Sequence, residues 1–111
     1  MEINITTQGT GTIAQLIGRL DTPAALEVAP AFESLKEKAD STIILDCSQL
    51  SYISSSGLRI FLTLRKEAAG KGGKVIIRNL SPDVRSVFMM TGFLNLFQIC
   101  GNALQEISPD R

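Results

Sequence analysis

Histidine is absent from the 111-residue chain, and its absence removes more chemistry than any residue present adds. A Ser-His-Asp or Cys-His catalytic device needs an imidazole, so neither can be built here. Zinc sites that rely on histidine are excluded as well. The two cysteines, Cys47 and Cys100, cannot supply a four-thiolate site and have no metal-ligand spacing. They follow apolar, strand-like segments and read as two buried, reduced thiols of a cytoplasmic protein rather than as a disulfide. Charge of one sign is also missing: 11 basic residues balance 11 acidic ones. No bulk attraction to nucleic acid or to an anionic membrane follows from that composition. No apolar run approaches the roughly 18 residues of a membrane span. The start, Met1-Glu2-Ile3-Asn4, lacks the basic region and apolar core of a signal peptide, so a cytoplasmic location is expected.

What remains is an ordinary globular composition, 44% apolar and 20% charged. Residues 1–111 read as one domain, with no repeat, linker or low-complexity segment. Ile3 and Ile5 alternate with polar neighbours, Gln8-Gly9-Thr10-Gly11 is turn-like, and Thr12 to Ile17 follow, which predicts a β-hairpin ending at Gly18-Arg19-Leu20-Asp21. Thr22-Pro23 then predicts a helix start with Thr22 as its N-cap. That helix runs to about Lys38 with Ala25, Val28, Ala29, Phe32 and Leu35 inward, and Pro30 predicts a kink or break. Thr42 to Leu45 is a short strand without alternation, expected to be buried on both faces.

A second helix begins at Leu58, with Phe61, Leu62, Leu64 and Ala68 inward, and Gly70-Lys71-Gly72-Gly73 stops it. Lys74 to Arg78 is another strand. Ser81-Pro82-Asp83 opens a third helix, with Val84, Val87, Phe88 and Thr91 inward, and Gly92 lets Phe93 fold back on Phe88. Met89 and Met90 read as core or edge packing. A last strand is expected over Leu96 to Cys100 and a helical turn over Ala103 to Ile107. Strands alternating with helices argue for an α/β fold led by an antiparallel hairpin.

The stretch that organises the rest is Tyr52-Ile53-Ser54-Ser55-Ser56-Gly57-Leu58, between an apolar strand and a helix start. Serines there are caps and turn formers first. One cap needs one hydroxyl, which leaves at least one of Ser54, Ser55 and Ser56 spare at a helix end that tolerates anionic charge. Arg19, Arg59, Arg65 and Arg85 are candidates to surround that turn, although scattered arginines are commonly plain surface. Asp46, at a strand end, lacks the acidic partners of a phosphoacceptor aspartate. A serine hydrolase built on the turn has neither histidine nor a lysine dyad to work with.

The residues resemble the anti-sigma factor antagonists of bacteria, the stand-alone STAS domains, nearly from end to end. Gly18-Arg19-Leu20-Asp21 is similar to the family's G-x-L-D. Residues Asp46 to Leu58 are similar to its D-x-S-x-L-x-F/Y-I/M-D-S-S/T-G-L signature, with Ser54 standing where the family has aspartate. Ser81 to Phe93 are similar to its S-P-x-V-x-x-L/V/F-F-x-x-S/T-G-L/F helix. The resemblance implies a mixed four- to five-stranded sheet that starts with the hairpin, with three to four helices packed mainly on one face. It implies a binding protein rather than an enzyme, with no cofactor. Its unmodified form would bind an anti-sigma factor serine kinase and free a sigma factor. Phosphorylation of Ser55 would switch it off, and a PP2C-type phosphatase would reset it. Asp21, Ser54, Ser56 and the exposed helix start at Gly57 and Arg59 would form the docking surface. Some STAS domains instead bind a transporter ATPase or a signalling scaffold without any switch.

Overall fold

Strand β1 (Glu2–Gln8) turns through Gly9, held at φ +57°, into β2 (Gly11–Leu20), and the two pair antiparallel. The computed structural model describes residues 1–100; the helical turn expected over Ala103 to Ile107 lies outside them. From β2 onward the chain alternates: α1 (Thr22–Lys36), β3 (Thr42–Ile53), α2 (Ser55–Lys71), β4 (Lys74–Arg78), α3 (Pro82–Thr91), a 3-10 turn (Phe93–Asn95) and β5 (Gln98–Cys100). The five strands form one sheet in the order β1-β2-β3-β4-β5, parallel from β2 to β5. This is the α/β mixed sheet with a leading hairpin that the sequence predicts, with three α-helices among the described residues.

Alternation within the strands sends one set of side chains towards the helices. Ala14, Leu16, Ile43, Leu45, Val75 and Ile77 are all buried on that side. The helices meet them with Val28, Phe32, Leu35, Phe61, Leu64, Val84 and Phe88. Stacked and tilted rings tie the helices together: Phe32 to Phe61 at 5.9 Å, Phe61 to Phe88 at 6.2 Å, and Phe88 to Phe97 at 6.0 Å between centroids. Such spacings add to the area the rings bury. Phe93 was expected on Phe88; its ring lies 6.5 Å from that of Phe97, which itself meets Phe88.

Several boundaries differ from expectation for local reasons. The cap of α1 is Asp21, whose Oδ1 accepts from the Ala24 amide at 3.0 Å, and not Thr22. Helix α1 passes Pro30 unbroken and ends at Lys36. Pro30 lies on the exposed side with Leu26, so the Leu26 carbonyl that loses its donor is on the solvent side of the helix. Ala29 is half-buried, and Ala24 takes an inward position instead. Helix α2 starts at Ser55, three residues before Leu58, because Ser54 caps it. Gly72 ends α2 at φ +84° and Gly92 ends α3 at φ +80°, the left-handed closures the glycines predict. Met89 and Met90 are exposed rather than packed, as is Thr91. Strand β5 is shorter than expected because Phe93–Asn95 form the 3-10 turn. Cys47 is fully buried, whereas Cys100 is only half-buried; both are free thiols.

The largest departure is β3, which runs on to Ile53 instead of stopping near Asp46. Its pairing with β2 shifts twice: Gln15 to Ile17 spans Asp46 to Gln49, and Gly18 to Arg19 spans Leu50 to Tyr52. Each shift inserts one extra residue in β3, a bulge that is uncommon between parallel strands. The bulges erase the two-residue alternation by which a strand is read, and they carry β3 up to the serine turn.

Candidate functional site

Helices follow β2, β3 and β4, so α1, α2 and α3 all begin at the carboxyl-terminal edge of the parallel strands. Each opens with a short polar cap. Asp21 caps α1, the Ser54 hydroxyl accepts from the Gly57 amide at 3.2 Å, and Ser81 Oγ accepts from the Val84 amide at 3.3 Å. Crevices at this edge are where open α/β sheets place their ligands. The first two caps sit side by side because Leu20 pairs with Ile53 and the Ser54 amide donates to the Leu20 carbonyl at 2.9 Å. The Thr22 and Ser56 hydroxyls then lie 3.4 Å apart and link the starts of α1 and α2.

This arrangement separates three serines that look alike in sequence. Ser54 is half-buried and used as the cap. Ser56 is half-buried and bonded to Thr22. Ser55, at the first position of α2, is exposed, and its hydroxyl has no hydrogen-bond partner among the described residues. No acidic residue occupies the first turn of α2, so the partial positive charge of its N-terminus is not offset there.

Gly57 was expected on the exposed docking face and is instead buried. A Cβ there would come within 2.7 Å of Leu20 Cγ and 2.9 Å of Ile53 Cγ1. The glycine seats the first turn of α2 on the ends of β2 and β3, and so aims Ser55 outward without itself being accessible. Arg59, one turn on, is exposed as expected. Arg19 lies over the Tyr52 ring at 4.4 Å, on the sheet face opposite Leu20 and Ile53. Arg65 is ten residues beyond Ser55, about 15 Å along the helix at 1.5 Å per residue. Asp21 is half-exposed and carries its capping bond on Oδ1.

Asp46 lies within β3 and not at its end, buried and facing Arg78. Its Oδ1 accepts from the Ser48 amide at 3.0 Å inside the first bulge, and its Oδ2 accepts from Arg78 Nη2 at 3.2 Å. Burial pushes the carboxyl up, but the Ser48 amide and the Arg78 guanidinium together hold it below its ordinary value of 3.8. A carboxyl with a depressed folded value contributes stability above its unfolded value and loses it as pH falls through the folded one. Asp46→Asn is therefore expected to flatten the acid limb of stability below about pH 4. Urea melts at pH 3 and pH 6 check this; an unchanged difference between the two would refute it. Burial, and then the Asp46 charge, raise the neighbouring Cys47 thiol far above its usual range, so that thiol is inert.

No helix among the described residues is long and apolar enough to cross a membrane. The STAS domain model matches residues 2–107. BtrV of Bordetella bronchiseptica is 32% identical over 90 residues, 81% of this chain and 78% of that protein. An anti-sigma F factor antagonist of Lysinibacillus sphaericus is 31% identical over 81 residues, 72% of this chain and 69% of that one. The unphosphorylated form of the anti-sigma factor antagonist SpoIIAA superposes with a TM-score of 0.75, covering 96% of this chain and 93% of that one, at 24% identity. At that identity the likeness is one of fold. The family match spans the hairpin, the serine turn and the Ser81 helix together, and the chain belongs to the STAS domain family, among the non-catalytic anti-sigma factor antagonists.

Proposed function

We propose that this protein is a cytoplasmic partner switch whose unmodified form binds an anti-sigma factor serine kinase and thereby frees a sigma factor. Phosphorylation of Ser55 turns it off, and a PP2C-type phosphatase restores it. The observation that carries the reading is the inequality of the three serines: Ser55 alone is exposed and unengaged at the start of α2. In the transfer, Ser55 Oγ attacks the γ-phosphorus of ATP held by the kinase. ADP leaves, and the hydroxyl proton passes to a base on the kinase.

The phosphate adds about −1.5 to −2 charges. The α2 N-terminus offsets it by roughly 0.3–1 kcal/mol, so the fold survives. A partner surface laid across the same turn must instead desolvate a dianion, and each 1.4 kcal/mol it loses is about tenfold in affinity. Ser56, Arg59 and Asp21 flank Ser55 and supply the contact face, while Ser54 and Gly57 hold the turn in shape.

Incubation with the candidate kinase and ATP, read by intact mass, should add a single phosphate to wild type and none to Ser55→Ala. Equal labelling of the variant would reassign the acceptor. One feature favours a second reading, a non-switching subunit of a transporter ATPase or signalling scaffold. Ser54 replaces the signature's aspartate and removes a negative charge beside the acceptor. Affinity capture that returned a transporter ATPase in place of a small kinase would select that reading.

A further inference from the structure

Helices α1 and α2 run side by side and leave a groove between them, with a volume of about 370 Å³. That lies at the lower end of the roughly 300–1,000 Å³ of small-molecule sites. Its floor is Ala25, Ala29, Phe32 and Ile60, and the Phe32 ring closes it from below by stacking on Phe61 at 5.9 Å. The small side chains of Ala25 and Ala29 are what open it. Leu26 forms one lip, with 77% of its surface exposed.

The two ends of the groove differ in charge. At the far end Glu33 and Lys36 neutralise each other at 2.8 Å. At the near end stand the Thr22 and Ser56 hydroxyls and Arg59, which forms no ion pair among the described residues. The N-terminus of α2, with no acid in its first turn, adds to the positive potential at that end. An occupant must therefore be apolar along its body and anionic at one end only.

We propose that this groove is a binding site for a small amphiphilic anion, a medium-length acyl carboxylate, with its chain along Ala25, Ala29 and Ile60 and its carboxylate on Arg59. Eleven residues line the groove, too few to account for a protein interface by themselves, since those engage about 20–30 residues on each partner. A neutral or cationic amphiphile would fill the same floor but leave Arg59 without its partner. The groove shares Ser56 and Arg59 with the proposed contact face but does not include Ser55, and its test uses neither kinase nor ATP.

Sodium decanoate is the probe, titrated below its micellar concentration into the whole chain and followed by amide chemical shifts. Saturable binding is expected, with shifts concentrated on α1 and on the first half of α2. Decyltrimethylammonium, with the same tail and the opposite charge, should bind at least tenfold more weakly. Ala29→Phe fills the floor and should weaken decanoate at least tenfold. Should that variant fail to fold by circular dichroism, Leu26→Gln at the exposed lip replaces it and should weaken decanoate severalfold. Arg59→Gln should remove the preference between the two amphiphiles. Equal affinity for both, shifts centred elsewhere, or indifference to these variants would overturn the site. So would shifts on α1 and α2 that follow protein concentration without ligand, because the groove would then join two copies of the chain.

Discussion

Ser55→Asp is expected to move stability and partner affinity in opposite directions. At the first position of α2 a carboxylate faces a helix N-terminus with no other acid in its first turn, so it should stabilise the fold by about 0.3–1 kcal/mol. In a domain of this size that is a rise of a few degrees in Tm, at roughly 4 °C per kcal/mol. The same charge must be desolvated, or must meet a like charge, when the anti-sigma factor kinase covers the turn. Binding should then fall by tenfold or more, since each 1.4 kcal/mol is a factor of ten. A variant that only damaged the turn would lower both quantities together. Calorimetric Tm and a titration against the kinase separate the cases, and unchanged affinity would remove Ser55 from the interface. A full phosphate carries up to twice the charge of the aspartate, so the modified protein should show the larger loss.

Gly73→Ala is expected to be the most damaging glycine-to-alanine change among the described residues. The added Cβ would fall on the carbonyl oxygens of Ala39 and Ser41 and within 2.8 Å of the Ser41 amide nitrogen. These are backbone atoms at the crossing where α1 runs into β3, and Ser41 also accepts from the Lys74 amide at 3.2 Å. No rotamer change relieves the contact, so either β3 or β4 must shift. Overpacking against movable side chains costs about 1–3 kcal/mol, and here the cost should reach or exceed about 3. That corresponds to a fall in Tm of roughly 10 °C or more. Gly70→Ala, three residues earlier in α2 with nothing within 4 Å of its Cβ, should instead be neutral or stabilising by about 0.5–1 kcal/mol. Similar Tm values for the two variants would contradict the packing argument.

The same four-residue string shows how far sequence reading reaches. Gly70-Lys71-Gly72-Gly73 is legible as a helix stop, and Gly72 is in fact the left-handed closure. Which glycine admits another backbone is not legible, because Ala39 and Ser41 stand more than thirty positions away in the chain. Gly57 repeats the lesson. It reads as part of an exposed turn because its neighbours are serines, yet Leu20 and Ile53 close over it from two strands. The length of β3 was hidden for a different reason. Two bulges break the period by which a half-buried strand is recognised, and they are visible only in its pairing with β2.

Local chemistry alone determined most of the architecture of this protein. The hairpin turn, the caps Ser54 and Ser81 and the closures at Gly72 and Gly92 depend on residues within four positions of one another, and spacing and backbone preference decide them. The absence of histidine likewise excluded histidine-based catalysis before any fold was in view. Only the tertiary structure decided which serine is available. Ser54, Ser55 and Ser56 have the same side chain, and what separates them is contact across the fold. Ser54 is locked between the Leu20 carbonyl and the Gly57 amide, and Ser56 meets Thr22 from the neighbouring helix. Ser55 points to solvent because Gly57 lets the helix sit low enough on the sheet to turn it outward.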